Sequence, residues 1–470
     1  MSNLVRRVSR TRRDDLLDVN PLYAGLMSAD GVPMYELPAG PISPDSALAI
    51  VRDELMLDGN ARLNLATFCS TWMEPQAREL IAETLDRNLM DHDQYPQTAQ
   101  LEKRCVNILD NLWKDPDGQG IGCSTAGSSE AAMLAGLAMK FAWRTRQKAA
   151  GRATDRPNLV MGTTVHTCWP KFGRYWDVEI RQVPIEEGCL TLDPQGVIER
   201  CDENTIGVVA VLGSTQLGLY DPIADIVAAL DRLSDERGLD VPLHVDAAVG
   251  GFIAPFLEPD LVWDFRLPRV QSINTSGHKF GLVYPGVGWV VWQEPDDLPE
   301  ELVFKCELLG GSIDTFALNF SRPGAPVIAQ YYNFLRLGFA GYRAVQQTSR
   351  SVARFIAEAV AAIPGLQLLA DGSQLPVVAV RVREGFDGFT VFDLADRLRS
   401  RGWQLPAYYL PPDLEHIGVL RMVIRNGFSH ATASLLIADL RREVDALTQA
   451  GAGGRRTAPP PTEQCDGSSL

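Results

Sequence analysis

The stretch Ser272-Ile273-Asn274-Thr275-Ser276-Gly277-His278-Lys279-Phe280-Gly281 runs from a strand-like segment into one lysine set among small hydroxyl residues, a histidine and two glycines. A lysine whose surroundings lower its pKa, by desolvation or by neighbouring positive charge, presents a free amine that can form a Schiff base with a carbonyl. Hydroxyls and an imidazole beside it suit the oxygens of a phosphate-bearing cofactor. Taken alone, the segment fits a solvated surface loop better. Its meaning depends on what the rest of the chain brings to it.

About thirty residues upstream, Val241-Pro242-Leu243-His244-Val245-Asp246-Ala247-Ala248 reads as a short apolar strand ending in a carboxylate. A buried acid is costly unless it meets a cation, although Asp246 also fits the cap of a turn or helix. Pyridoxal phosphate supplies a cation, because a carboxylate against its ring nitrogen keeps the ring protonated and able to accept electrons from a substrate's α carbon. A third segment, Cys123-Ser124-Thr125-Ala126-Gly127-Ser128-Ser129-Glu130, opens a helical pattern with Met133, Leu134, Leu137 and Phe141 on one face. Free amides and the dipole at such a helix start favour a phosphate. Ser128 or Ser129 could also be a plain N-cap.

On these residues the chain resembles the glutamate decarboxylases, within the pyridoxal-phosphate-dependent group II amino-acid decarboxylases, over residues 16 to 450. The resemblance also rests on Asn64-Leu65-Ala66-Thr67-Phe68-Cys69, on Asp91 to Gln97 and on Phe172-Gly173-Arg174-Tyr175-Trp176-Asp177-Val178-Glu179. Trp263-Asp264-Phe265-Arg266-Leu267-Pro268-Arg269-Val270, Leu309-Gly310-Gly311 and Asn319-Phe320-Ser321-Arg322-Pro323 follow in the same order. It implies an α/β protein of the pyridoxal-phosphate-dependent transferase fold type I, similar to aspartate aminotransferase. The expected parts are an N-terminal segment (1–60), a large cofactor-binding domain with a mostly parallel sheet (61–340), a small C-terminal α+β domain (341–450) and a flexible tail (451–470).

The hydrophobic pattern agrees independently. Strand-like runs at Asn158 to Met161, Gly207 to Leu212, Leu243 to Val245 and Trp289 to Trp292 alternate with helical patterns, as in a doubly wound sheet. A helical connector is expected from Pro323 to near Arg350. Beyond it Val377 to Val382 and Leu420 to Ile424 read as strands, and Val391 to Leu398 and Ala431 to Leu447 as helices.

A net charge of −15 argues against a general nucleic-acid binder and against an anionic membrane surface. No apolar run approaches bilayer length and the N-terminus lacks a signal peptide's apolar core, so a cytoplasmic location is expected. The cysteines, Cys69, Cys105, Cys123, Cys168, Cys189, Cys201, Cys306 and Cys465, show no CxxC spacing, so neither a metal site nor a disulfide framework is indicated. The N-terminal Arg6, Arg7, Arg10, Arg12 and Arg13 fit a binding arm or a solvated helix end. In the family such segments help assemble oligomers, which implies a homo-oligomer, either a dimer or a hexamer built from dimers.

The resemblance also implies roles. Lys279 carries pyridoxal phosphate as a Schiff base, Asp246 pairs with its ring nitrogen, and Gly127, Ser128, Ser129 and His278 seat the phosphate, with Ser276 adding a hydroxyl. His166 stacks over the ring, though a lone histidine is ordinarily just a hydrogen-bonded residue. Thr67, Phe68, Asn88 and Asp91 shape the pocket for the side-chain carboxylate of L-glutamate, Thr215 lies near the α-carboxylate, and Phe320 and Ser321 reach into the neighbouring subunit's site. Arg425 grips a substrate carboxylate with its planar fork; Arg421 competes for that role, and a surface ion pair is the ordinary alternative. The implied reaction converts L-glutamate to 4-aminobutanoate and carbon dioxide with uptake of a proton.

Leu308 stands where the family has a flap tyrosine, which leaves the group that protonates the product open. Competing readings are a group II decarboxylase of another amino acid, an aminotransferase, and a catalytically inactive relative acting as a binding protein. Retention of Lys279, Asp246 and His278 together argues against the last.

Overall fold

The computed structural model describes residues 35–38, 40–118, 120–307 and 313–451. The N-terminal arginines, Leu308-Leu309-Gly310-Gly311, the tail beyond residue 451 and Cys465 lie outside the described residues. The chain divides into two compact units, one of Met1–Asn60 with Arg456–Leu470 and one of Ala61–Arg455. In the first, α1 (Pro44–Leu55) starts after Ser43, whose hydroxyl accepts the Ser46 N–H, and it buries no residue.

The second unit opens with α2 (Pro75–Glu83) and α3 (Pro96–Leu112) and then builds a seven-stranded sheet. Its strands are β1 (Ile121–Thr125), β2 (Asn158–Gly162), β3 (Glu179–Val183), β4 (Thr205–Val211), β5 (Leu243–Asp246), β6 (Val270–Thr275) and β7 (Gly288–Trp292), ordered β1-β7-β6-β5-β4-β2-β3. The five from β6 to β3 run parallel, while β7 is antiparallel to both β6 and β1. Parallel strands need crossovers, supplied by α4 (Ser128–Ala149), α5 (Cys168–Tyr175), α6 (Pro194–Arg200), α7 (Ile223–Arg237) and α8 (Ala254–Leu257). Covered on both faces, β4 is buried at every position, which is why it reads as a continuous apolar run rather than an alternating one.

One face of the sheet contributes Val208, Ala210, Leu243, Val245 and Ile273 to the main core. The other packs Val209, Val290 and Trp292 against α4 and α5. The single apolar face expected for α4 is too narrow. Ala131, Ala132, Leu134, Ala135, Leu137, Ala138 and Met139 are all buried, whereas Met133 and Phe141 are only half-buried, because a run of small residues lets the helix lie close to the sheet.

A hairpin of β8 (Phe304–Cys306) and β9 (Ile313–Thr315) precedes α9 (Ala325–Ala361). The connector expected to end near Arg350 continues to Ala361, broken at Gly338 by φ 55° and ψ −172°, backbone angles that only glycine adopts readily. The second sheet follows, with strands β10 (Leu366–Asp371), β11 (Val377–Val382), β12 (Ala407–Tyr409) and β13 (Gly418–Val423) in the antiparallel order β10-β11-β13-β12. Val378, Val380, Leu420 and Met422 pack against α10 (Val391–Arg399), α11 (His430–Gly451) and the C-terminal half of α9, forming a core of their own. No disulfide joins the described cysteines. No described helix is long and apolar enough to cross a membrane.

Candidate active site

The site lies beyond the carboxyl ends of β4, β5 and β6, where open α/β sheets leave a crevice. Asp246 is the last residue of β5 and is buried. Its Oδ2 accepts the Trp169 indole N–H at 2.9 Å, and its Oδ1 accepts the Asn274 amide at 3.1 Å and the Ala248 N–H at 3.2 Å. Three donors and no ion pair within 4.0 Å among the described residues leave an oriented carboxylate that still lacks a cation. Behind it on the same strand, His244 joins Ser272 and Asn274 at 2.7 Å each.

Lys279 follows β6 in a tight turn in which its N–H donates to the Ser276 carbonyl at 3.3 Å and the His278 N–H to that of Val287 at 3.2 Å. Its amine lies 5.6 Å from the centre of the Phe68 ring. Burial lowers its pKa, with Asp246 pulling the other way, so the reactive free amine is favoured.

The turn into α4 lies close against His278 and the start of β7. Gly127 is the N-cap and neither serine caps the helix with its side chain, so the plain-cap reading of Ser128 and Ser129 does not hold. A Cβ on Gly127 would come 3.0 Å from Cε1 of His278, and one on Gly288 would meet the Gly127 carbonyl carbon at 2.4 Å and the Ser128 nitrogen at 2.6 Å. Beside this turn Ser276 Oγ and His278 Nδ1 are buried without a hydrogen-bond partner. Buried polar atoms are rarely left so, and a phosphate-bearing group at the start of α4 fits them. Burial first, and then Lys279, push the His278 pKa down to about 4, so its ring is neutral.

His166 is exposed and lies within electrostatic reach of Asp246 and Lys279. Its Nδ1 accepts the Cys168 N–H at 3.2 Å, which leaves the proton of the neutral ring on Nε2. Although one side of the ring reaches solvent, desolvation of the other lowers its pKa, against an upward pull from Asp246 and alongside a downward one from Lys279.

Thr67 and Phe68 belong to a strap that crosses from the second sheet to Lys279. Ser70 N–H donates to the His278 carbonyl at 2.8 Å and Ser70 Oγ to that of Lys279 at 3.1 Å. Two arginines from β13 and the turn after it clamp the strap. Arg421 donates to the Thr215 carbonyl and, at 2.6 Å, to that of Ala66, and lies over Phe68 at 5.0 Å. Arg425 donates to the carbonyls of Cys69 and Asn64, to that of Ala61 at 3.1 Å and to Thr71 Oγ1 at 3.1 Å. Arg425 is therefore buried among strap carbonyls, and the surface ion pair is excluded. Each arginine keeps a buried Nε without a partner.

The remaining expected residues gather elsewhere. Asn88 donates to Ser321 Oγ at 3.4 Å, its neighbour Leu89 pairs with the Arg322 carbonyl at 2.9 Å, and Asp91 caps its own turn by accepting from the Gln94 N–H at 3.2 Å. Phe320 and Ser321 are exposed. No hydrogen bond, ion pair or ring contact joins these four to Lys279 among the described residues.

A doubly wound sheet with a half-buried lysine past one strand and an acid ending the next defines the class, the enzymes that carry pyridoxal phosphate on fold type I. The chain belongs to the pyridoxal-dependent decarboxylases, since the model of the pyridoxal-dependent decarboxylase conserved domain matches residues 34–383. It is 51% identical over 436 residues to a glutamate decarboxylase of Aliivibrio fischeri, covering 92% of this chain and 93% of that one. A glutamate decarboxylase of Solanum lycopersicum is 46% identical over 438 residues, 93% and 87% of the two chains. The solved glutamate decarboxylase of Lactobacillus brevis superposes with a TM-score of 0.88 at 45% identity, over 91% of this chain and 98% of that one.

Trp169, His244 and Asn274 complete the site but do not stand out in the sequence. The signal was the two-residue spacing of His244 from Asp246 and of Ser272 from Asn274, which puts each pair on one face of a strand.

Proposed function

We propose that this chain removes the α-carboxylate of L-glutamate as carbon dioxide, taking up one proton and releasing 4-aminobutanoate. The observation that carries this reading is the 51% identity to a glutamate decarboxylase over nearly the whole length of both chains. When bound, pyridoxal phosphate supplies a carbonyl carbon for an amine and a protonated ring that accepts an electron pair.

The chain's own groups do the rest. Lys279, with its lowered pKa, would provide the amine that holds the cofactor. Asp246, held by three donors, would pair with the ring nitrogen. The amides of Gly127, Ser128 and Ser129, with Ser276 and His278, would hold the phosphate; His166 would pack against the ring, and Thr215 would serve the substrate's α-carboxylate. Thr67 and Phe68 form one wall of the side-chain carboxylate pocket. Arg425 holds the strap through its Nη atoms, and its unpartnered Nε is the donor left for a substrate carboxylate. Excluding water from this clamped site strengthens each charge interaction in it.

Asn88, Asp91, Phe320 and Ser321 are proposed to complete the site of a neighbouring copy in a homo-oligomer, a dimer or a hexamer of dimers. Asn88 meets Ser321, Phe320 and Ser321 are exposed, and none of the four contacts its own lysine among the described residues, which supports this. A cytoplasmic location is part of the same proposal, and the net charge of −15 supports an enzyme acting without nucleic acid or an anionic membrane surface.

The test is incubation of the purified protein and pyridoxal phosphate with glutamate, aspartate or aromatic amino acids across acidic pH, following carbon dioxide and the amine product. Glutamate is expected to be strongly preferred, and Lys279→Ala to lose both turnover and borohydride-trapped cofactor. A keto acid in place of carbon dioxide, or full turnover by Lys279→Ala, overturns the reading.

A further inference from the structure

Residues facing each other across neighbouring strands share a face of the sheet, and two such rows cross the middle of this one. Val209, His244, Ser272 and Trp292 form the first row, and Val211, Asp246, Asn274 and Val290 the second. Val209, Trp292 and Val290 belong to the apolar layer under α4 and α5. Within that layer His244 and Asn274 are 0% exposed and Ser272 1%. Such burial is tolerated only when polar atoms are satisfied, and in His244, Ser272 and Asn274 each one has a partner.

The hydrogen bonds also have a fixed direction. A carboxylate only accepts, so Asn274 must turn its NH2 toward Asp246. Its carbonyl oxygen then takes the Nε2–H of His244, and the Nδ1 of His244 takes the Ser272 hydroxyl. Burial lowers the His244 pKa and keeps the ring neutral, which leaves one proton for two nitrogens and so one tautomer. Trp169 seals the arrangement, its ring 5.2 Å from that of His244 and its N–H on the other oxygen of Asp246.

We propose that His244 is a positioning residue for the cofactor: its single tautomer locks the Asn274 amide, and through it holds the Asp246 carboxylate aimed at the place of the ring nitrogen. The inference rests on the reading of Asp246 given above. Among the described residues His244 has no hydrogen bond or ring contact with Lys279, and its hydrogen-bonded route to Asp246 runs through Asn274.

The experiment titrates the full-length apoprotein with pyridoxal phosphate and with its deaza analogue, in which C–H replaces the ring nitrogen, and reads the ratio of the two dissociation constants. The wild type is expected to prefer the cofactor. His244→Leu is expected to lose roughly tenfold or more of that preference, the scale found for outer partners of orienting groups at metal sites, while binding the analogue almost unchanged. His244→Gln, which can still donate to Asn274, is expected to recover part of it. An unchanged ratio in His244→Leu, or equal weakening of both ligands as a merely structural role would give, overturns the proposal.

If His244→Leu does not fold, as judged by the apoprotein's thermal transition, Ser272→Ala decides. It frees the ring to take the other tautomer and should lower the ratio several-fold, and an unchanged ratio overturns the proposal. A wild type without any preference overturns the pairing of Asp246 with the ring nitrogen itself. A preference that survives in the His244 variants defeats only the positioning role.

Discussion

The amine of Lys279 and the ring of Phe68 face each other with 5.6 Å between nitrogen and ring centre, and the Arg421 guanidinium lies over the same ring at 5.0 Å. One aromatic side chain thus spaces two basic groups, and the arginine's charge helps to lower the lysine's pKa. The ring comes from the strap, the lysine from the turn after β6 and the arginine from β13, so the geometry depends on the strap staying in place.

Replacing Phe68 by leucine keeps the site apolar but removes the π face. Cation–π contacts are worth about 0.5–2 kcal/mol, so kcat/KM for glutamate should fall roughly tenfold. Steady-state kinetics on Phe68→Leu check this; a value equal to wild type would show that the ring contributes only bulk.

Arg425 binds three carbonyls and a hydroxyl with a planar fork. Lysine cannot reproduce that geometry, and the carbonyls it abandons are partly buried. Arg425→Lys should cost about 2–4 kcal/mol of stability, measured as a lower urea midpoint, and should raise KM for glutamate as the strap loosens. Stability unchanged alongside a raised KM would assign Arg425 to the substrate alone.

His278 has a folded-state pKa of about 4 against an ordinary 6.5. Between these values the unfolded chain binds more protons, so the stability this histidine permits is complete above about 6.5 and falls as pH drops toward 4. Asp110 and Asp221, pushed up by burial to about 7 and about 6, act in the opposite sense. The informative quantity is therefore a difference. Urea midpoints of the apoprotein from pH 7 to 4 should decline less steeply in His278→Asn than in wild type, and parallel curves would show that the ring does not titrate this way.

Much of the large sheet was legible because parallel strands buried on both faces must be apolar throughout, as β4 is. The antiparallel direction of β7 was not, since Gly288–Trp292 is equally apolar whichever way it runs. β12 is three residues long and leaves too little pattern to recognise. α9 runs past Arg350 because its far half packs into the second core, a reason that no local window contains. In the site, Lys279 and Asp246 could be picked out by residue type and position. The Asn88–Ser321 pair and the clamping arginines could not, because their partners lie far away in the chain.

What the sequence determined by itself was chemistry and kinship: a lysine in a turn of small polar residues, an acid at a strand end, a glycine-serine helix start, and motifs shared along most of the length. What only the tertiary structure decided was which atoms meet. It set the single direction of hydrogen bonds from Ser272 through His244 and Asn274 to Asp246, the engagement of Arg425 with strap carbonyls, and the exposed grouping of Phe320 and Ser321. The physical reason is that a residue's type sets what it can donate, accept or bury, whereas its partner is set by the packing of segments that the chain itself holds far apart.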